Sequence, residues 1–144
     1  MIILAILIWC SYCAIEGVRD GFTFHKAGLA NNYNNKVLGF DIHFWFAAAR
    51  VGVLLPLLML TAKGALDAIA YLGGLSMMQP LISNGIYFMT RNSLDSNVYP
   101  KGFITTIEHS TSSAVINVDK YSQRVALFIT GLTAILLVEF VFTI

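Results

Sequence analysis

The residues of this chain with most chemistry in them are a carboxylate and a guanidinium set among apolar neighbours, Glu16 and Arg50. Arg50 interrupts the run IHFWFAAARVGVLLPLLMLTA, and Glu16 follows the run that begins at Ile2. A lone ion in such a setting is costly, so each needs an opposite charge, a hydrogen-bond network or a water-filled cavity. Glu16 lies eight residues before Phe24, and Arg50 lies eight residues after Ile42. At 1.5 Å per residue both sit about 12 Å from the same end of two antiparallel helices. The spacing predicts an ion pair.

Two readings of that pair follow. As a structural device it fixes the register of two helices. As a functional one it belongs to a proton or substrate site, and further polar residues fall at a similar level. Asp20 and His43 lie nearer the end of their helices, and Tyr12 lies one turn deeper than Glu16. A third apolar run contributes Gln79, Ser83 and Asn84, and Pro80 frees the carbonyl of Ser76. The expected buried polar cluster is therefore Glu16, Arg50, Asp20, His43, Gln79 and Asn84. The sequence names neither a substrate nor an ion, and the structural reading leads.

The histidines raise metal chemistry. His25, His43 and His109 fall on or near one face with Asp20, Asp41 and Glu108, a ligand set suited to zinc or iron. Their spacing argues against it. Asp41-x-His43 matches no strong signature, no HExxH is present, and no two histidines stand at helical spacing. His25, His43 and His109 remain weak metal candidates beside interfacial or capping roles, and no cofactor is expected. Cys10 and Cys13 have C-x-x-C spacing inside an apolar run, where neither lies at the exposed helix start that activates a thiol. No nucleophile elbow, phosphate loop or nucleotide fingerprint appears.

The elements that must position these residues are long apolar helices. The chain has 144 residues, 57% apolar and 12% charged, where a soluble domain carries roughly 25% charged residues. Its mean hydropathy is +0.72. A net charge of +1 gives no attraction to nucleic acid, and no nucleic-acid-binding motif is present. Four spans of roughly 20 residues can be drawn, 2–24, 42–62, 65–89 and 121–144, each long enough to cross a bilayer. The first is read as a retained helix rather than a cleaved signal, because no basic residue precedes its apolar core and no A-x-A-like site follows. The expected fold is an all-α integral membrane protein in one domain, a four-helix antiparallel bundle.

Connections set the topology. Lys63-Gly64 joins the second and third spans so tightly that they must form a helical hairpin. The loops 25–41 and 90–120 then share the opposite face, with Arg19, Lys26, Lys36, Arg91, Lys101, Lys120 and Arg124, against Lys63 alone on the turn face. The positive-inside rule places these long loops in the cytoplasm and both termini outside. Asn31 to Lys36 is polar and turn-prone, and Gly102 to Asp119 offers two β-prone runs, the pattern of a small surface hairpin. Small residues accompany both ions: Gly17 and Gly21 on the helix of Glu16, and Ala48 and Gly52 on that of Arg50. That spacing lets helix backbones approach closely. Asp67, in the first turn of the third span, and Glu139 fall at the other end.

The stretch GIYFMTRNSLDSNVYPKGFI, Gly85 to Ile104, resembles small bacterial or phage membrane proteins more than any enzyme. That resemblance implies an inner-membrane location and carries no functional residues with it. The expected partners are the lipid bilayer and a protein partner or further copies of the chain, with no nucleic acid. The leading function is a non-enzymatic membrane component with partner-facing cytoplasmic loops. The alternative is a membrane-embedded enzyme or ion-handling protein with a polar or metal-binding site at the cytoplasmic face.

Overall fold

The long apolar runs of the sequence become helices, with Pro56 and Pro80 inside two of them. A computed structural model of the protein describes residues 1–28, 42–106, 118 and 120–141. Helix α1 is Ile2–Gly28, α2 is Ile42–Thr61, α3 is Ala65–Leu94 and α4 is Tyr121–Val141. No strand occurs among the described residues. Gly102–Ile104 forms a short 3-10 turn where the first β-prone run begins, and most of the expected hairpin lies outside the described residues.

Two helices run past the apolar segments that predict them. α1 continues from Phe24 to Gly28, and α3 from Met89 to Leu94, because polarity alone does not stop a helix. α3 ends where Asp95 turns to extended backbone, its N–H still donating to the Arg91 carbonyl. The Asp95 carboxylate then accepts the Asn97 N–H at 3.0 Å, a local turn that competes with further helix. At the other end of α3, Gly64 is extended, and Asp67 accepts the Lys63 N–H at 3.0 Å. A carboxylate in that first turn also suits the helix dipole.

α3 is the central element. α1 packs along one flank and α4 along another, the 3-10 turn rests on it, and α2 touches α1 and α3 more sparingly. Contacts fix the directions. The Trp9 indole N–H donates to the Leu75 carbonyl at 2.6 Å, and Gly21 lies against Thr90, so α1 and α3 run the same way. Tyr71 meets Glu139 while Phe88 meets Arg124, so α4 runs opposite to α3. Glu16 meets Arg50 while Arg19 meets Phe46, so α2 runs opposite to α1.

The small-residue spacings play a different part from the one expected. Gly17 does not bring α1 to α2. A Cβ there would stand 2.5 Å from the Ser83 carbonyl oxygen, so this glycine brings α1 against α3. Gly52 has nothing within 4 Å of such a Cβ and faces outward. The physical reason is the length of the arginine. Arg50 reaches Glu16 across a gap, and the α1–α2 pair needs no close backbone approach.

The apolar core sits towards the Lys63–Gly64 turn. Trp9 and Cys13 of α1, Leu54 and Leu57 of α2, Tyr71, Leu75 and Met78 of α3, and Ile135 of α4 are all buried. The exterior is apolar too: Met59 is 85% exposed, Ile69 70% and Phe140 68%. Water does not favour so much exposed hydrocarbon on a monomer. All four helices are long and apolar enough to cross a membrane.

Candidate polar site between α1, α2 and α3

Beyond the apolar core, in the half of the molecule away from the Lys63–Gly64 turn, the helices turn polar residues towards one another. Glu16 is 2% exposed. Its two carboxylate oxygens accept from Arg50 Nε at 3.0 and 3.1 Å, joining α2 to α1. Ser83, buried on α3, donates its hydroxyl to Glu16 Oε2 at 3.5 Å. One carboxylate thus gathers a group from each of three helices.

A second cation extends the cluster along α1. Arg19 lies one turn after Glu16 and brings Nη2 to 3.6 Å from its Oε1, the geometry that i,i+3 spacing gives on a helix. The same guanidinium holds the neighbouring Asp20, with Nη2 at 2.8 Å and Nε at 2.9 Å from Oδ1. Its carbon stands 4.3 Å from the centre of the Phe46 ring on α2, a cation–π contact. Arg50, Glu16, Arg19 and Asp20 therefore alternate in sign and sum to zero. Such an arrangement neutralises charge locally, which a buried carboxylate requires.

The cluster is only partly enclosed. Glu16 and Asp20 are buried, whereas the side chains of Arg50 and Arg19 are 35% and 42% exposed. On the core side Tyr12 stacks on Trp9 with ring centres 5.5 Å apart, and its hydroxyl is buried with no hydrogen-bond partner. Chemically the site can hold an ion pair, bind an anion at the partly exposed guanidinium groups, or take up a proton at a carboxylate.

The other expected members stand as follows. Gln79 and Asn84 are half-buried on α3, and neither shares a side-chain hydrogen bond with Glu16 or Arg50 among the described residues. His25 is half-buried near the end of α1. The His43 side chain and all of His109 lie outside the described residues. Among the described residues no three His, Cys, Asp or Glu side chains gather as metal ligands would.

Three features were not read from the sequence. Arg19, one of the loop-face cations, pairs with Glu16, and the i,i+3 spacing is the signal for it. Tyr71, fully buried, donates its hydroxyl to Glu139 Oε2 at 2.5 Å and ties α3 to α4. A lone carboxylate in the last apolar run pointed to such a partner. Arg124, another of the loop-face cations, is completely buried beneath Thr105, Phe88 and Tyr121. Its position three residues into the fourth apolar run was the signal there.

No protein family, curated protein or solved structure matches the chain. The four apolar helices are compatible with a small membrane protein, and the role must be argued from the site itself.

Proposed function

We propose that the protein is a small integral membrane component of the inner membrane, built as an antiparallel four-span bundle and not acting as an enzyme. In this reading the long loops meet a partner, another protein or a second copy, in the cytoplasm, and both termini lie outside. The observation that carries it is the inversion of an ordinary surface. Large apolar side chains cover the outside of all four helices, while Glu16, Asp20 and Ser83 are buried between them. The Glu16–Arg50 pair then serves to hold α2, the most loosely packed helix, against α1.

A second reading has one observation in its favour. Arg50 and Arg19 are partly exposed, so an anion can reach the guanidinium groups that hold Glu16 and Asp20. In that reading Glu16, Asp20, Arg50 and His43 form an ion-handling or catalytic site at the cytoplasmic face, with His25, His43 or His109 supplying metal ligands if one is used.

Proteoliposomes separate the two. With the protein reconstituted around a trapped pH dye, the structural reading expects proton flux no faster than in protein-free vesicles under an imposed potential. Flux that the wild type supports and a folded Glu16→Gln, Arg50→Met double variant abolishes would establish the ion-handling reading instead.

A further inference from the structure

Arg124 stands in the first turn of α4 and is completely buried. Its Nη2 donates to the Thr105 carbonyl. Its Nε and Nη1 are buried without a hydrogen-bond partner, and so is the Thr105 hydroxyl. The Phe88 and Tyr121 ring centres lie 5.0 and 5.6 Å from the guanidinium carbon. Ring faces attract the cation but do not accept its in-plane N–H bonds. Among the described residues no carboxylate forms a salt bridge with it. A buried guanidinium in that condition is unfavourable until an anion joins it.

The start of α4 adds to the same imbalance. Lys120 precedes the helix, where Ser, Thr, Asp or Asn would accept a first-turn N–H and a lysine side chain cannot. The Thr106 hydroxyl takes the Tyr121 N–H at 3.3 Å, and Gln123 Oε1 takes that of Lys120 at 3.2 Å. No side chain among the described residues caps the N–H groups of Ser122 and Gln123. Two cationic residues thus flank the positive end of a long helix dipole, a setting that attracts anions.

We propose that Arg124, the Thr105 hydroxyl and the N-terminus of α4 form a site for a phosphate-class oxyanion. A tetrahedral oxyanion has enough oxygens to accept from the guanidinium, a hydroxyl and main-chain N–H groups at once, where a planar carboxylate has two. The anion is either the headgroup phosphate of an anionic lipid or free inorganic phosphate. The lipid source rests on the membrane reading, since α4 begins where its apolar run begins; the free-phosphate source does not.

The test uses the full chain purified in an uncharged detergent. Its unfolding temperature is followed against inorganic phosphate, against sodium chloride at equal ionic strength, and against added phosphatidylglycerol or phosphatidylcholine. Native mass spectrometry counts the species bound. Inorganic phosphate or phosphatidylglycerol should raise the unfolding temperature above the chloride control, and which one does so identifies the source. Arg124→Gln should weaken that effect by at least about tenfold, Thr105→Val should weaken it less, and Lys63→Gln at the far end should leave it unchanged. Stabilisation no greater than that of chloride, or undiminished in Arg124→Gln, overturns the proposal; so does stability independent of phosphate because a loop carboxylate holds Arg124. If Arg124→Gln fails to fold, wild-type protein without a bound phosphate species, or Thr105→Val binding it as well as wild type, is equally decisive. Stabilisation by inorganic phosphate in a protein that fails topology labelling would remove the membrane reading and leave this site standing.

Discussion

Glu16 and Arg50 make unequal demands on their surroundings. Glu16 is fully enclosed, whereas more than a third of the Arg50 side chain is exposed. Removing one partner of a buried pair costs about 3–5 kcal/mol when the survivor stays buried and uncompensated. Arg50→Ala strands a carboxylate that keeps only Ser83 and the more distant Arg19, so its cost should approach that range. Glu16→Ala strands a guanidinium that can turn outward, and its cost should be smaller. The double change Glu16→Gln with Arg50→Met should be milder than Arg50→Ala. Denaturant unfolding in detergent checks the order, and strictly additive losses would show that the two side chains do not interact.

The helices place their glycines with the same asymmetry. α1 and α3 approach where Gly17 faces the Ser83 carbonyl, and α3 and α4 approach where Gly74 faces Gly131. A methyl group at Gly17 meets backbone, which cannot rotate away. Gly17→Ala should therefore lower stability by about 1–3 kcal/mol through overpacking. Gly52→Ala meets nothing within 4 Å, and it should be neutral or stabilising by up to about 1 kcal/mol from helix propensity. Unfolding curves for the two variants, measured side by side, test which glycines are interface residues. Equal losses would mean that α2 packs as closely as α3 does. Pro56, inside α2, removes a further hydrogen bond by leaving the Gly52 carbonyl without its intrahelical donor. That is consistent with α2 being the helix held most by side chains.

Over the whole molecule, direction and depth decide the assignment. α1 and α3 run together and α2 and α4 run against them, so the Lys63–Gly64 turn lies at one end and the C-terminal ends of α1 and α3 at the other. With native cysteines replaced, single cysteines at Asn34 and Ser96 should label from the cytoplasm and one at Gly64 from outside, in the orientation proposed from the distribution of lysine and arginine. Labelling of Asn34 and Gly64 from the same side would refute the four-span arrangement.

Hydrophobic length alone determined that there are four long helices and roughly where they start, because each apolar run is long enough to bury its own backbone hydrogen bonds. Depth counting also placed Glu16 opposite Arg50, since helical rise is fixed and the connections leave little freedom. Packing partners were another matter. Which face Gly17 and Gly52 present depends on helix rotation, and four nearly uniformly apolar helices carry little amphipathic signal to set it. That Arg19 completes the cluster, that Tyr71 finds Glu139 and that Arg124 is sealed beneath Thr105 follow from side chains meeting across residues far apart in sequence. Only the tertiary structure decided those meetings, because the cost of a buried polar group demands a partner but does not name it.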